Sequence, residues 1–314
     1  MVTLSGNSKK LWQEFSSPPI QPFLFVDGHP ACSILRLDLI KSWASGNKYF
    51  KLKYTLLDTL EKNIPTFVSK GGMFSNHLAA LAEACAVFGK RFVAVIRSHA
   101  PDDRNPSILK LKELGAEIIY LAPGSYTSFD QHEAEKLFPG AMFIPEGGLS
   151  SDGIRGASEI TQSFLPYAPT HVIISGGTMG TACGLLASMP ESINVIIVPA
   201  WKGCTQDYIT GILQDYKIEV SCSWQLWPDF HFGGFGKFNQ ELIDFMIAFT
   251  TTTGIPLDPV YTGKMMFGLN QKIGQEYFAG SDKILAIHTG GLQGVDGFKY
   301  RYPEQWKSYL NKEA

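Results

Sequence analysis

The pattern of apolar and polar positions switches repeatedly between the period of a strand and that of a helix. "TFVSKGG" is a short β-branched and aromatic run closed by glycines, which predicts a strand and its turn. "SNHLAALAEACAVFG" then opens on polar residues, continues with small and leucine side chains and stops at glycine, the signature of a capped helix. "RFVAVIRS" reads as a buried strand, "NPSILKLKELG" as a helix and "AEIIYLA" as a further strand. The alternation resumes with "THVIIS", "GGTMGTACGLLAS" and "INVIIVPA", and "KILAIHTGG" adds one more strand near the C-terminal end. Upstream, "CSILRLDLI" reads as a strand after a Pro-rich lead-in, and "SGNKYFKLKYTLLD" runs into an amphipathic leucine pattern. Strand–helix–strand repetition builds parallel sheets flanked by helices. Two such blocks, joined by the glycine-rich connector "PEGGLSSDGIRG", predict an α/β chain with a domain crossing there.

Composition narrows the function classes. The chain has 314 residues, long enough for two ordinary domains, with 45% apolar and 18% charged residues. A formal charge of -2 gives no basic field to hold a polyanion, so nucleic acid is not an expected partner. The five cysteines (Cys32, Cys85, Cys183, Cys204, Cys222) show no C-x-x-C spacing and read as buried small hydrophobes, with no disulfide framework or metal site. "MVTLSGNSKKLWQEF" lacks the apolar core of a signal peptide, and no apolar run reaches membrane-spanning length; a cytoplasmic location and no membrane partner are expected.

Two segments carry candidate chemistry. Lys48, Lys51 and Lys53 fall within six residues. Three lysines suit a solvated helix face, but a lysine with a lowered pKa can also bond an aldehyde cofactor. The second segment is "HVIISGGTMGTACGLLAS", an apolar strand feeding a glycine- and threonine-rich turn and then a helix. Backbone N–H groups over Gly177, Thr178, Met179, Gly180 and Thr181 suit a phosphate, and the glycines let it approach. A dinucleotide fingerprint would need G-x-G-x-x-G and an acid after the next strand, and here "NVIIV" runs into "PAWKG". A G-x-x-x-x-G-K-[ST] loop is also missing, so the turn suits a monophosphate. A monophosphate cofactor that needs a lysine is pyridoxal 5'-phosphate.

The combination of "GNKYFKLKY", "GGMFSNHLAALA", "NPSILKLKELGAEI", "IPEGGLSSDGIRG", "SGGTMGT", "LDPVYTGKMMFGL" and "IHTGGLQG" resembles the pyridoxal-phosphate enzymes of the tryptophan-synthase-β type (fold type II). Within them it resembles the branch of D-cysteine desulfhydrase and 1-aminocyclopropane-1-carboxylate deaminase. The resemblance implies a two-domain, three-layer αβα fold with mostly parallel sheets. Its large cofactor-binding domain would comprise residues 1–43 and 149–314, and its small domain residues 44–148, with the cofactor in the cleft. It implies a homodimer acting on a small amino acid.

The same resemblance assigns Lys51 as the cofactor lysine and α-proton base. Asn76 would hydrogen-bond the cofactor's phenolic oxygen, while Ser75, with the N–H groups from Ser75 to His77, takes the substrate carboxylate. Tyr261 would lie beside the substrate and Thr262 would face the pyridine nitrogen. The aminocyclopropane deaminases have a glutamate at that last position, and a threonine cannot hold a proton on the ring. A weaker electron sink suffices when a good leaving group departs from the β-carbon, which favours desulfhydrase-type β-elimination to keto acid, ammonia and sulfide. Ring opening of aminocyclopropane carboxylate is the alternative. A nicotinamide oxidoreductase and a non-catalytic cofactor-binding protein are remoter readings. Phe235 departs from the tyrosine that the family often has near the site.

Overall fold

The computed structural model describes residues 17–25, 31–40 and 42–306; the N-terminal segment read above for a signal peptide lies outside them. Two sheets organise the chain. The larger has the order β1-β2-β10-β7-β8-β9, built from Ile20–Phe23, Ala31–Arg36, Lys283–His288, His171–Gly176, Asn194–Pro199 and Trp224–Leu226 respectively. Only β1 is antiparallel to its neighbour. The smaller, all-parallel sheet has the order β5-β4-β3-β6, from Glu117–Leu121, Arg91–Arg97, Thr66–Gly71 and Met142–Ile144. The central strands read as continuous apolar runs because helices cover both faces of such sheets.

Helices α1 (Asn47–Glu61), α2 (Asn76–Phe88) and α3 (Pro106–Glu113) fall where their patterns place them. Ser75 caps α2 by accepting the Leu78 N–H, and Gly89 ends it in the left-handed conformation. Asn105 caps α3 in the same manner, with Pro106 at its first position. Short helices α4 (Pro123–Ser128) and α5 (Gln131–Leu137) lead from β5 into β6.

Two local expectations change. "CSILRLDLI" is a strand only as far as Arg36; Leu37–Leu39 form a 3-10 turn, because the Arg36 guanidinium reaches forward to both carboxylate oxygens of Asp38. "SSDGIRG", read as connector, contains α6 (Ser151–Ser158), capped by the Ser150 hydroxyl. Its glycines serve close packing: a Cβ on Gly156 would lie 1.9 Å from the Phe50 carbonyl oxygen of α1. A Cβ on Gly184, in α7 (Gly180–Leu186), would lie 2.5 Å from the Ala157 methyl of α6. Helices α1, α6 and α7 are therefore stacked backbone against backbone, which brings the lysine helix beside the glycine-rich turn. The remaining helices are α8 (Gln206–Asp215), α9 (Gln240–Thr253), α10 (Thr262–Gly274) and α11 (Val295–Arg301). No helix among the described residues is long and apolar enough to cross a membrane.

Candidate active site

A cavity of about 660 Å³ collects the start of α1, the turn before α2, the β7–α7 turn and Tyr261. This volume suits a cofactor together with a small substrate. Every site residue read from the sequence lines it except Thr262. Thr262 is fully buried, and its hydroxyl donates to Asp258 Oδ2 (2.6 Å) while accepting from the Asp258 N–H (2.9 Å). At the end of β10, Thr289 does line the cavity. The Asp258 carboxylate is saturated by its own turn. Oδ1 accepts the N–H groups of Val260 (2.9 Å) and Tyr261 (2.8 Å), and Oδ2 accepts that of Thr262 (2.9 Å). It fixes Tyr261 and does not line the cavity.

The glycine-rich turn is shaped by Met179, a buried non-glycine residue at φ 61°. A left-handed conformation costs such a residue about 1–2 kcal/mol, and strain of this kind clusters at functional sites. Asn47 Nδ2 donates to Thr181 Oγ1 (2.8 Å) and Trp201 Nε1 to the Gly177 carbonyl (3.1 Å), so the turn is clamped from two sides. A Cβ at 177 would lie 2.9 Å from Tyr261 Cε1, and one at 180 would lie 2.6 Å from Lys51 Nζ and displace that amine.

The two lysines of α1 that line the cavity differ in surroundings. Lys51 is 2% exposed, its amine donates to the Gly147 carbonyl (2.6 Å), and it sits against Gly180 of the turn. Lys48, only partly buried, reaches the Asn47 side-chain oxygen (2.9 Å). Burial holds the Lys51 amine well below its usual pKa, and the charge of Lys48 pushes it further. Burial brings Lys48 down to about 8, against the opposing pull of Asp258. Both sites favour the neutral, nucleophilic amine. Lys53 instead pairs with Glu159 on the flank of α1.

His77 has a fixed tautomer. The Ser69 hydroxyl donates to the Ile144 carbonyl (2.8 Å), so it accepts from His77 Nε2 (3.0 Å). Nδ1 is thereby left as a bare acceptor, buried and without a partner. Burial and the two nearby lysines keep the ring neutral. The Ser75 N–H donates to Gly72 (3.0 Å), so of the three N–H groups expected for a carboxylate, those of Asn76 and His77 are left at the start of α2. Ser75 Oγ accepts from Leu78, which leaves its proton to donate.

Sequence reading missed Asn47, Asp258 and Thr289, and it passed over the charged rim of Arg97, Glu146, Lys237 and Arg301. The Asn in "GNK" and the Asp in "LDPVYT" were the available signals. The cavity fits pyridoxal phosphate on its own terms. Asn76 Oδ1, His77 Nδ1 and Ser175 Oγ are buried polar atoms without partners at its wall, two amines face it, and a glycine turn offers backbone N–H groups. No cluster of metal-ligating side chains occurs among the described residues.

Comparison with known proteins agrees. The family profile of pyridoxal-phosphate dependent enzymes matches residues 35–290. A Thermotoga maritima protein, named provisionally as a 1-aminocyclopropane-1-carboxylate deaminase, is 30% identical over 284 residues, covering 83% of this chain and 89% of its own. Among solved structures, an ACC deaminase homologue superposes with a TM-score of 0.78 at 24% identity, covering 96% of this chain and 100% of the other. A hydrogen sulfide-producing enzyme of Fusobacterium nucleatum reaches 0.64 at 14% identity, covering 92% and 99%. At these identities both structures speak for the fold alone. The profile match and the relative place this chain in the pyridoxal-phosphate dependent enzymes of fold type II, as a lyase or deaminase close to the 1-aminocyclopropane-1-carboxylate deaminase homologues.

Proposed function

We propose that the chain catalyses β-elimination from a small β-substituted amino acid, D-cysteine being the model substrate, to give a keto acid, ammonia and the departing group. The observation that carries this reading is that position 262, a glutamate in the aminocyclopropane deaminases by the resemblance, is here a threonine turned into its own turn and away from the cavity. Thr262 stands where a glutamate would be needed, and the adjacent Asp258 spends both oxygens on its own turn. Bound pyridoxal phosphate would supply an electrophilic aldehyde carbon and an electron sink.

The two lysines divide the remaining work. Lys48, whose amine donates to its neighbour Asn47, would hold the cofactor through its aldehyde and take the α-proton at Nζ. Lys51, set against Gly180, would donate a hydrogen bond to the phosphate beside the N–H groups from Gly177 to Thr181. This reverses the assignment of Lys51 implied by the sequence resemblance. Asn76 orients the ring through its unpartnered side chain. Ser75 and the N–H groups of Asn76 and His77 hold the substrate carboxylate. Burial, with the charges of Asp258 and Glu146, raises the Tyr261 pKa, so its hydroxyl keeps a proton to give the departing group.

The names of the relatives favour a second reading, ring opening of 1-aminocyclopropane-1-carboxylate by the same residues. Keto-acid release from D- and L-cysteine, D-serine, β-chloro-D-alanine and aminocyclopropane carboxylate separates the two. Elimination from a β-substituted substrate with little ring opening is expected. Efficient ring opening without any elimination reverses the ranking.

A further inference from the structure

Lys264 lies in the first turn of α10, three residues beyond Tyr261, and is 1% exposed. Its ammonium donates to three backbone carbonyls: Gly234 (2.7 Å), His231 (2.9 Å) and Ala200 (3.3 Å). It makes no ion pair with an acidic side chain among the described residues. A buried charge persists only when its donors are matched; here the hydrogen bonds come from carbonyl oxygens, with the Asp258 charge acting from a distance.

Those carbonyls do not converge by chance of sheet geometry. His231 and Gly234 belong to the segment after β9, where Phe232, Gly233, Gly234 and Gly236 have φ of 51°, 91°, 123° and 64°. A run of left-handed residues aims successive carbonyls to one side, and only glycine adopts the value at 234 readily. Ala200 follows β8 and precedes Trp201, which clamps the glycine-rich turn. The same segment supplies Phe235, Gly236 and Lys237 to the cavity wall, with the Phe235 ring edge-on to Tyr261 at 6.2 Å.

We propose that Lys264 is a positioning residue: its ammonium fills a cage of three carbonyls and so holds the Phe235–Lys237 wall against Tyr261. The lysine acts as a tethered cation, and the cage accepts a free ammonium ion when the side chain is removed. Its bearing on catalysis rests on the lyase reading; its bearing on the wall does not.

Hydrogen exchange of residues 231–237 in the full chain, measured without substrate, tests this directly. Lys264→Ala should raise exchange there on the order of tenfold. Added ammonium chloride should restore most of the protection, and tetramethylammonium, too large for the cage, should not. Gly234→Ala, which cannot keep φ 123° and turns one carbonyl away, should raise exchange similarly and gain nothing from ammonium. Unchanged exchange in a folded Lys264→Ala protein overturns the proposal, as does equal rescue by both ions. If Lys264→Ala fails to fold even in ammonium, unchanged exchange in Gly234→Ala overturns it. In turnover, Lys264→Ala should raise KM more than it lowers kcat, with ammonium reversing the change; a protein without lyase activity leaves the exchange result standing.

Discussion

Replacing Asp258 with asparagine separates a carboxylate that builds the turn from one that serves the cavity. The wild-type carboxylate accepts three N–H groups and the Thr262 hydroxyl, at 2.6 to 2.9 Å, with the residue only 2% exposed. In Asp258→Asn the amide oxygen can keep the Val260 and Tyr261 donors, but the NH2 group then points at the Thr262 N–H. The hydroxyl can turn to accept, giving up the carboxylate as acceptor for its own proton; the backbone N–H cannot accept at all. Two bonds to a charged acceptor are lost and the buried Thr262 N–H is stranded, which together cost about 3 kcal/mol. At about 2–3 °C per kcal/mol for a chain of this size, the melting midpoint should fall by roughly 6–9 °C. Differential scanning fluorimetry reads this with and without pyridoxal phosphate, and product analysis reads the ratio of elimination to ring opening. Turnover should drop because Tyr261 shares the carboxylate, while the product ratio stays as in the wild type. An unchanged midpoint with an altered product ratio would show that Asp258 faces the chemistry and would refute the reasoning.

Other consequences follow from the same geometry. A Cβ added at Gly180 lies 2.6 Å from Lys51 Nζ and must push the amine off the Gly147 carbonyl; displacing that donor from the turn should weaken pyridoxal phosphate binding about 3- to 10-fold in a spectroscopic titration. Gly124→Ala, where nothing lies within 4 Å, is the control and should leave affinity unchanged. The Lys48 amine, brought down to about 8 by burial, is protonated below that value and neutral above it; the rate of colour formation from apoprotein should therefore climb about tenfold per pH unit and level off above about pH 8. A rate flat between about pH 6 and pH 8 contradicts this assignment.

Much of the fold was legible because the parallel strands are apolar throughout and the helices carry their own caps, as at Ser75 and Asn105. What escaped was set by contacts distant in sequence. The helix over Ser151–Ser158 looked like a connector because Gly153 and Gly156 are breakers by local propensity, yet Gly156 is needed where α1 touches backbone to backbone. In the site, motif spacing marked the right segments, and ten of its eleven residues do line the cavity. Helical spacing alone does not rank Lys48 against Lys51; the resemblance points to Lys51, and the two differ in burial and in the Gly147, Gly180 and Asn47 groups around them. Nor could motif spacing show that Thr262 turns inward, because this depends on the Asp258 turn closing over it.

Borohydride reduction of the protein loaded with pyridoxal phosphate, followed by peptide mapping, tests the division of labour between the lysines most directly. The pyridoxyl group should be found on Lys48, with Lys51 unmodified. A label on Lys51 or Lys53, or a protein that takes up no cofactor, would contradict it.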